Sequence, residues 1–440
     1  MQKSLFLTSY VYLKQVWVLV LVALVLWFSI APLVWSQCSH KKLYTFTGEA
    51  AHERFGCSVS GAGDVNNDGH ADLIVGATEA FFTFGRAYVY SGQTGGLLWT
   101  FTGEAGFDFF GCSVSGAGDV DGDECDDLIV GAHGNDAGGS DAGRAYVYSG
   151  QTGDTIWTFD GEAVLDRFAY SVSGSGDVND DGHADLIVGA HTAGGSDAGR
   201  AYVYSGQTGN LIYTFTGEVA EDQFGHSVSG AGDVDADGYN DMIIGAHLND
   251  AGGDAAGRAY VYSGQSGGLL WAFTGEAAHD LLGYSVSGAG DVDADGYADL
   301  IVGAHGNDAG GSDAGRAYVY SGQTGNLIYT FTGEDTYGWF GYSVSGAGDV
   351  DADGYADLIV GAHYDDAGGN NAGRSFVYSG RTGGLLCTFT GEAAGDRFGY
   401  SVSGAGDVNN DGYYDLIVGA RFNDGGGTDA GRAYIYSYSP

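Results

Sequence analysis

The chain has 440 residues, and 57 Asp and Glu against 16 Lys and Arg give it a formal charge of -41 at neutral pH. Such a surface repels phosphate backbones and anionic bilayers, which excludes nucleic acid as a partner and leaves only the apolar N-terminal segment for membrane contact. With 81 Gly, 2 Pro and no helical periodicity sustained over three turns after Gln37, the sequence predicts an all-β protein.

Residues 1–36 differ in composition from the rest of the chain. Lys3 and Lys14 lead into an apolar run from Val16 to Trp35, interrupted by Ser29 and Pro32, and Val34-Trp35-Ser36 has the form of a signal-peptidase site. Export to the medium or the cell surface is the expectation. The run is also about long enough to span a bilayer, so the segment is expected either to be removed as a signal peptide or to stay as an anchor. Residues 37–440 are expected to form a single domain.

From there one string recurs. Ser-Val-Ser-Gly-(Ala/Ser)-Gly-Asp-Val begins at Ser58, Ser113, Ser171, Ser227, Ser285, Ser343 and Ser401, in steps of 55, 58, 56, 58, 58 and 58 residues. A glycine-punctuated repeat of this length, rich in β-branched and aromatic residues, reads as one four-stranded blade, and seven of them make a β-propeller. In the fifth repeat the expected strands are an inner one from Leu282 to Gly288, a second from Asp299 to Ala304, a third from Gly315 to Tyr320 and an outer one from Leu327 to Phe331. The second is a continuous apolar run, as for a strand covered on both faces. The third alternates in period two.

The ends of the chain predict how the ring closes. The seventh repeat stops after its third strand, Gly431-Arg432-Ala433-Tyr434-Ile435-Tyr436, while Lys42-Leu43-Tyr44-Thr45-Phe46 has the outer-strand sequence with no blade before it. The N-terminal strand should therefore complete the last blade and remove both open edges.

Between inner and second strands lies Asp-x-(Asp/Asn)-x-Asp-Gly-x-x-Asp. The candidate metal ligands are Asp64, Asn66, Asp68 and Asp72 in the first loop; Asp119, Asp121, Asp123 and Asp127 in the second; Asp177, Asn179, Asp181 and Asp185 in the third; and Asp233, Asp235, Asp237 and Asp241 in the fourth. They continue as Asp291, Asp293, Asp295 and Asp299; Asp349, Asp351, Asp353 and Asp357; and Asp407, Asn409, Asp411 and Asp415. Oxygens at positions 1, 3, 5 and 9 with a Gly at the bend suit Ca2+, up to one ion per blade. Turn chemistry alone would not demand the same oxygens seven times. Position 12 is Val75 or its equivalents inside a strand, so the loop is not an EF-hand. The second loop departs most, with Glu124 in place of the Gly.

Phe55-Gly56 and Gly76-Ala77 flank the first acidic loop, and the order returns as Phe224-Gly225 with Gly245-Ala246 and Phe398-Gly399 with Gly419-Ala420. This arrangement resembles the FG-GAP repeats of integrin α-subunit propellers over about residues 42–438, with Ala169 replacing the Gly in one copy and Leu282 the Phe in another. The resemblance implies calcium loops on one face and a partner-binding surface on the other.

On that second face the repeats differ most. Blade one carries Phe81, Phe82 and Phe84 where others have a polar loop, Phe107 and Phe109 lead into blade two, and Tyr337 and Trp339 into blade six. These aromatics are a candidate contact patch for a protein or glycan. The competing reading, that such rings fill local core, applies most directly to Phe110, Trp339 and Phe340.

Other repeated positions read as structural. Arg86, Arg144, Arg200, Arg258, Arg316, Arg374 and Arg432 occupy one repeat position and should pair with acids of the same or adjoining blade. His133, His191, His247, His305 and His363 all end second strands. The five cysteines do not recur with the repeat, and Cys57 and Cys112 read as semi-buried thiols in preference to a bridge between blades. The sequence holds no Gly-x-Ser-x-Gly elbow, zinc-protease motif or phosphate loop. The reading is a calcium-binding extracellular adhesion or recognition propeller, with a polysaccharide-acting lyase or hydrolase as the alternative and a surface-layer role open.

Overall fold

A computed structural model describes residues 40–78 and 84–438, so the export segment expected over residues 1–36, as well as Phe81 and Phe82, lies outside the described residues. Seven four-stranded antiparallel sheets form the blades, each ordered inner, second, third, outer. The fifth runs Ser285–Gly290, Asp299–Ala304, Arg316–Tyr320 and Leu327–Thr332. Its inner strand starts later than the sequence predicts, because Leu281 and Gly283 take positive φ and Leu282 instead bridges Gly257 of the preceding blade. The second strands are buried along their whole length, as continuous apolar runs between two blades should be.

His40–Thr47 pairs antiparallel with Arg432–Tyr438, completing the blade whose other strands are Phe398–Gly406 and Asp415–Ala420. The expected closure is present. Its aromatic seam matches the others: Phe46 stacks on Tyr90 at 4.0 Å as Phe215 stacks on Tyr262 at 4.1 Å and Phe389 on Tyr436 at 3.9 Å. A buried aromatic pair of this kind adds about 0.5–1.5 kcal/mol beyond the area it buries.

From the axis outward, each blade is fastened to the next in the same layers. Nearest the axis, the Val59 amide donates to Ser401 Oγ, Val114 to Ser58, Val172 to Ser113, Val228 to Ser171, Val286 to Ser227, Val344 to Ser285 and Val402 to Ser343, all at 3.0–3.1 Å. This small-residue circle has no beginning. Further out, the Gly of Gly-Ala lies against the next inner strand. A Cβ added at Gly245 would sit 1.9 Å from the Gly283 carbonyl oxygen. The Phe of Phe-Gly then fills the seam and is buried in every copy, as is Leu282 where it substitutes. Ala169 holds the positive φ of +64° that its glycine equivalents adopt, at a cost of about 1–2 kcal/mol for an L-residue.

At the rim the repeated arginines find their partners. Arg258 Nη1 meets Glu218 at 2.8 Å, Arg316 meets Glu276 at 2.9 Å, and Arg144, Arg200 and Arg432 pair likewise with Glu104, Glu162 and Glu392. The acid is the Glu of Thr-Gly-Glu or its equivalent after the preceding outer strand, so each pair crosses a blade boundary. Arg374 instead takes Asp365 of its own blade.

Candidate metal loops and the opposite mouth

All seven acidic loops wind around the position-1 carboxylate. In the fourth, Asp233 accepts the amides of Asp237 and Gly238 at 3.1 and 3.0 Å, and Asp237 Oδ1 accepts that of Tyr239 at 3.0 Å. The same bonds return around Asp64, Asp177, Asp291, Asp349 and Asp407. Asp119 in the irregular second loop is wrapped in the same way. There Glu124 simply adopts φ +69°, and the glycines it replaces have open space where a Cβ would go.

Position 9 has a second task that ligand spacing does not reveal. Asp241 Oδ2 accepts the Val234 amide and Oδ1 the Gly264 amide, each at 2.8 Å, tying the start of the loop to the turn between third and outer strands. Asp72, Asp127, Asp185, Asp299 and Asp357 do the same. These carboxyls are buried. Burial pushes Asp72, Asp127, Asp241, Asp357 and Asp415 up to about 7, and Asp185 and Asp299 to about 6. Backbone amides oppose that shift and neighbouring loop carboxylates add to it.

Four loops bring three carboxylate oxygens within 4.8 Å of one another: Asp119, Asp121 and Asp127; Asp233, Asp235 and Asp241; Asp291, Asp293 and Asp295; and Asp349, Asp351 and Asp353. The other three loops carry Asn66, Asn179 or Asn409 at position 3, where an amide oxygen stands in for the carboxylate. Adjacent loops are chained, since the Ala298 amide donates to Asp233 O and Asn240 to Asp177 O, at 3.1 and 3.0 Å. The oxygen-only donor set and its crowding of negative charge suit a hard divalent cation.

At the opposite end of the axis the same repeat positions carry different residues. The inner strands are led by Cys57, Cys112, Tyr170, His226, Tyr284, Tyr342 and Tyr400, and Tyr284 donates to Tyr342 at 3.2 Å, which donates to Tyr400 at 3.1 Å. The strand-end histidines pack among these rings, His191 on Tyr170 at 4.2 Å and His363 on Tyr342 at 4.2 Å. Burial lowers His133 to about 4 and His191 and His305 to about 3, so they are neutral at physiological pH. Cys57, Cys112 and Cys125 are free thiols, whereas Cys387 is disulfide-bonded, a bond the non-periodic cysteines do not suggest.

Of the expected aromatic patch, Phe84 and Phe107 are exposed, at 50% and 49%. Phe109 is 37% exposed and stacks on His133 with ring centroids 4.8 Å apart, which puts it at the axial mouth. Phe110 and Phe340 are core.

The FG-GAP repeat profile matches residues 55–90, 110–148, 168–204, 224–262, 282–320, 340–378 and 398–436, one match per blade. Integrin alpha-5 of Xenopus laevis is 33% identical over 236 residues, covering 48% of this chain and 21% of that protein. Integrin alpha-V of Gallus gallus is 33% identical over 207 residues, 43% of this chain and 20% of its own length. Integrin alpha-8 of Homo sapiens is 30% identical over 274 residues, 54% and 25%. The chain thus spans about a fifth to a quarter of the length of the curated relatives it matches.

Proposed function

This chain belongs to the FG-GAP repeat family, and from that membership we propose an extracellular calcium-binding propeller that recognises a protein or glycan partner through the face opposite its acidic loops. The observation that carries the reading is the contrast between ends: seven near-identical carboxylate loops at one, and unlike residues at equivalent positions of the other. Calcium is favoured by the oxygen donors and by loops wound on their own backbone, and up to seven ions would staple the ring. Residues 1–36 act as the export segment, either cleaved or kept as an anchor, and the Cys387 disulfide fits an oxidising compartment. Exposed Phe84 and Phe107, with Phe81 and Phe82, form part of the contact surface.

The deciding experiment is a calorimetric calcium titration with a thermal melt in chelator alongside. Several sites filling together and a large fall in melting temperature on chelation are expected. Absence of both would reduce the loops to turns and remove the basis of the proposal. Turnover of acidic or neutral glycans in a depolymerisation assay would replace it with the enzymatic reading.

A further inference from the structure

The basic residues of this acidic chain are not scattered. Of 12 arginines, seven form the rim row and Arg381 lies over Tyr355 at 5.4 Å. The remaining four, Arg54, Arg167, Arg397 and Arg421, all stand at the mouth opposite the acidic loops, each either just before a Phe-Gly pair or its equivalent, or at the end of a second strand. Three of them crowd one ring: the guanidinium carbons of Arg397, Arg421 and Arg54 lie 4.5, 4.6 and 5.6 Å from the centre of Phe422. Among the described residues none of the three makes an ion pair, and the Nε atoms of Arg54 and Arg421 are buried without a hydrogen-bond partner.

Arg54 and Arg421 also line an axial cavity of about 270 Å3, with Cys57, Cys112, His133 and Tyr170 among the other walls. The cavity opens where two cysteines stand in place of the Tyr or His that leads the other inner strands. The second-strand end that is Arg421 in blade seven is His in five blades and Thr78 in the first. Symmetry is broken here by charge and by volume together. Burial, and then the neighbouring Arg421, weaken the hold of Arg54 on its proton, against the opposing pull of Cys57, Asp429 and Tyr400.

We propose that this cavity is an anion site for a single compact carboxylate group, held by the guanidiniums of Arg54 and Arg421 beneath the aromatic wall of Phe109, Tyr170 and Tyr400. The proposal deepens the recognition reading of this face and rests on it. A carboxylate matches the planar guanidinium fork. The volume lies below the roughly 300–1,000 Å3 of pockets for drug-sized ligands, so a small acid or one side chain fits. A polyanion is disfavoured by the charge of the chain as a whole.

The test is calorimetric titration of the purified chain in calcium buffer with benzoate, with a capped glycyl-aspartyl-glycine peptide, with inorganic sulfate and with benzylammonium. Benzoate or the peptide should bind once per chain, and the tighter of the two tells a free acid from a presented side chain. Arg54→Gln and Arg421→His introduce residues that other blades carry at the same positions, as Gln223 and His363, so the ring should melt unchanged while affinity falls at least about tenfold. Arg381→Gln should bind as the parent does. Binding of benzylammonium in preference to benzoate, displacement by sulfate at equal concentration, or full affinity in both mouth variants would overturn the site. No binding by a chain that still melts earlier in chelator overturns the anion site alone; loss of that calcium response overturns the recognition propeller itself.

Discussion

The two ends of the axis are built from the same seven repeats and have been treated differently. At the acidic end the loops keep the same hydrogen bonds even where Glu124 replaces Gly, and each position-9 carboxyl is fixed by two backbone amides in six of the seven loops. At the mouth the residue before Phe-Gly or its equivalent is in turn Arg54, Phe109, Arg167, Gln223, Leu281, Trp339 and Arg397, and every one of them holds a positive φ between 50° and 59°. The backbone is therefore as uniform here as in the loops, and strained in the same way each time. Only the side chains vary. Uniform side chains on a uniform backbone suit a structural role, and varied side chains on a uniform backbone suit the recognition role proposed for this face.

The most drastic way to break this contrast is to open the ring. Removal of His40–Thr47 strips the outer strand from blade seven and the Phe46–Tyr90 stack from its seam, and should abolish the cooperative melt and the near-ultraviolet dichroism. Shortening a polar loop between second and third strands should leave both in place. A ring that survives the deletion would mean that neither end depends on closure.

Within the acidic end, structural and ligand roles separate by position. Asp241→Asn sets an amide NH2 against one of two backbone N–H groups and should cost about 1–3 kcal/mol even in chelator, with a further loss in calcium because the same carboxyl belongs to the ligand set. Asp237→Asn, at a position that is Asp in all seven loops, keeps a carbonyl for the Tyr239 amide and should destabilise only when calcium is present. Urea denaturation in the two buffers reads both, and identical behaviour of the variants would dissolve the distinction.

A smaller effect belongs to the mouth. His191 is held near 3, below its ordinary value of 6.5, by burial first and then by His226 and Arg167. Below about pH 6.5 the unfolded chain binds the proton that the folded chain refuses, so this group removes stability progressively from pH 6.5 down to about 3 and removes none above that window. His191→Gln should lose that component, and its stability relative to the parent should rise as the pH falls from 6.5 to 4. A constant difference across that range would show that the imidazole is not buried in neutral form. The smallest change is expected at the rim, where Arg258→Gln breaks a half-exposed pair with Glu218 and should cost under about 1 kcal/mol without disturbing either end.

Much of this architecture is legible in the amino-acid order alone. The blade count, the strand order and the closing strand follow from a fixed period and from an outer-strand sequence stranded at the wrong end of the chain. The ligand spacing of the loops is equally plain. Contact across seams is not. The Glu of Thr-Gly-Glu meets an Arg some forty residues on only because one blade ends where the next begins. Position 9 reads as one more ligand, since its backbone partners leave no residue-type signal. Arg54, Arg397 and Arg421 are spread along the chain and become neighbours only when blade seven closes on blade one. The Phe residues are legible as unusual, but not as divided between an exposed edge, in Phe84 and Phe107, and the axial mouth, in Phe109.

Closure by the first and last strands also fixes how the domain responds to being pulled. His40 pairs with Tyr438, so both ends of the described chain leave the same corner of one sheet, side by side. Tension between them loads that strand pair in peeling geometry, one rung at a time, and the six other blades lie outside the path of the force until it parts. Tension applied from a ligand at the mouth to either terminus runs instead through the seams, where many bonds share it. A tether at the termini and a grip at the mouth would thus meet very different resistance in the same molecule.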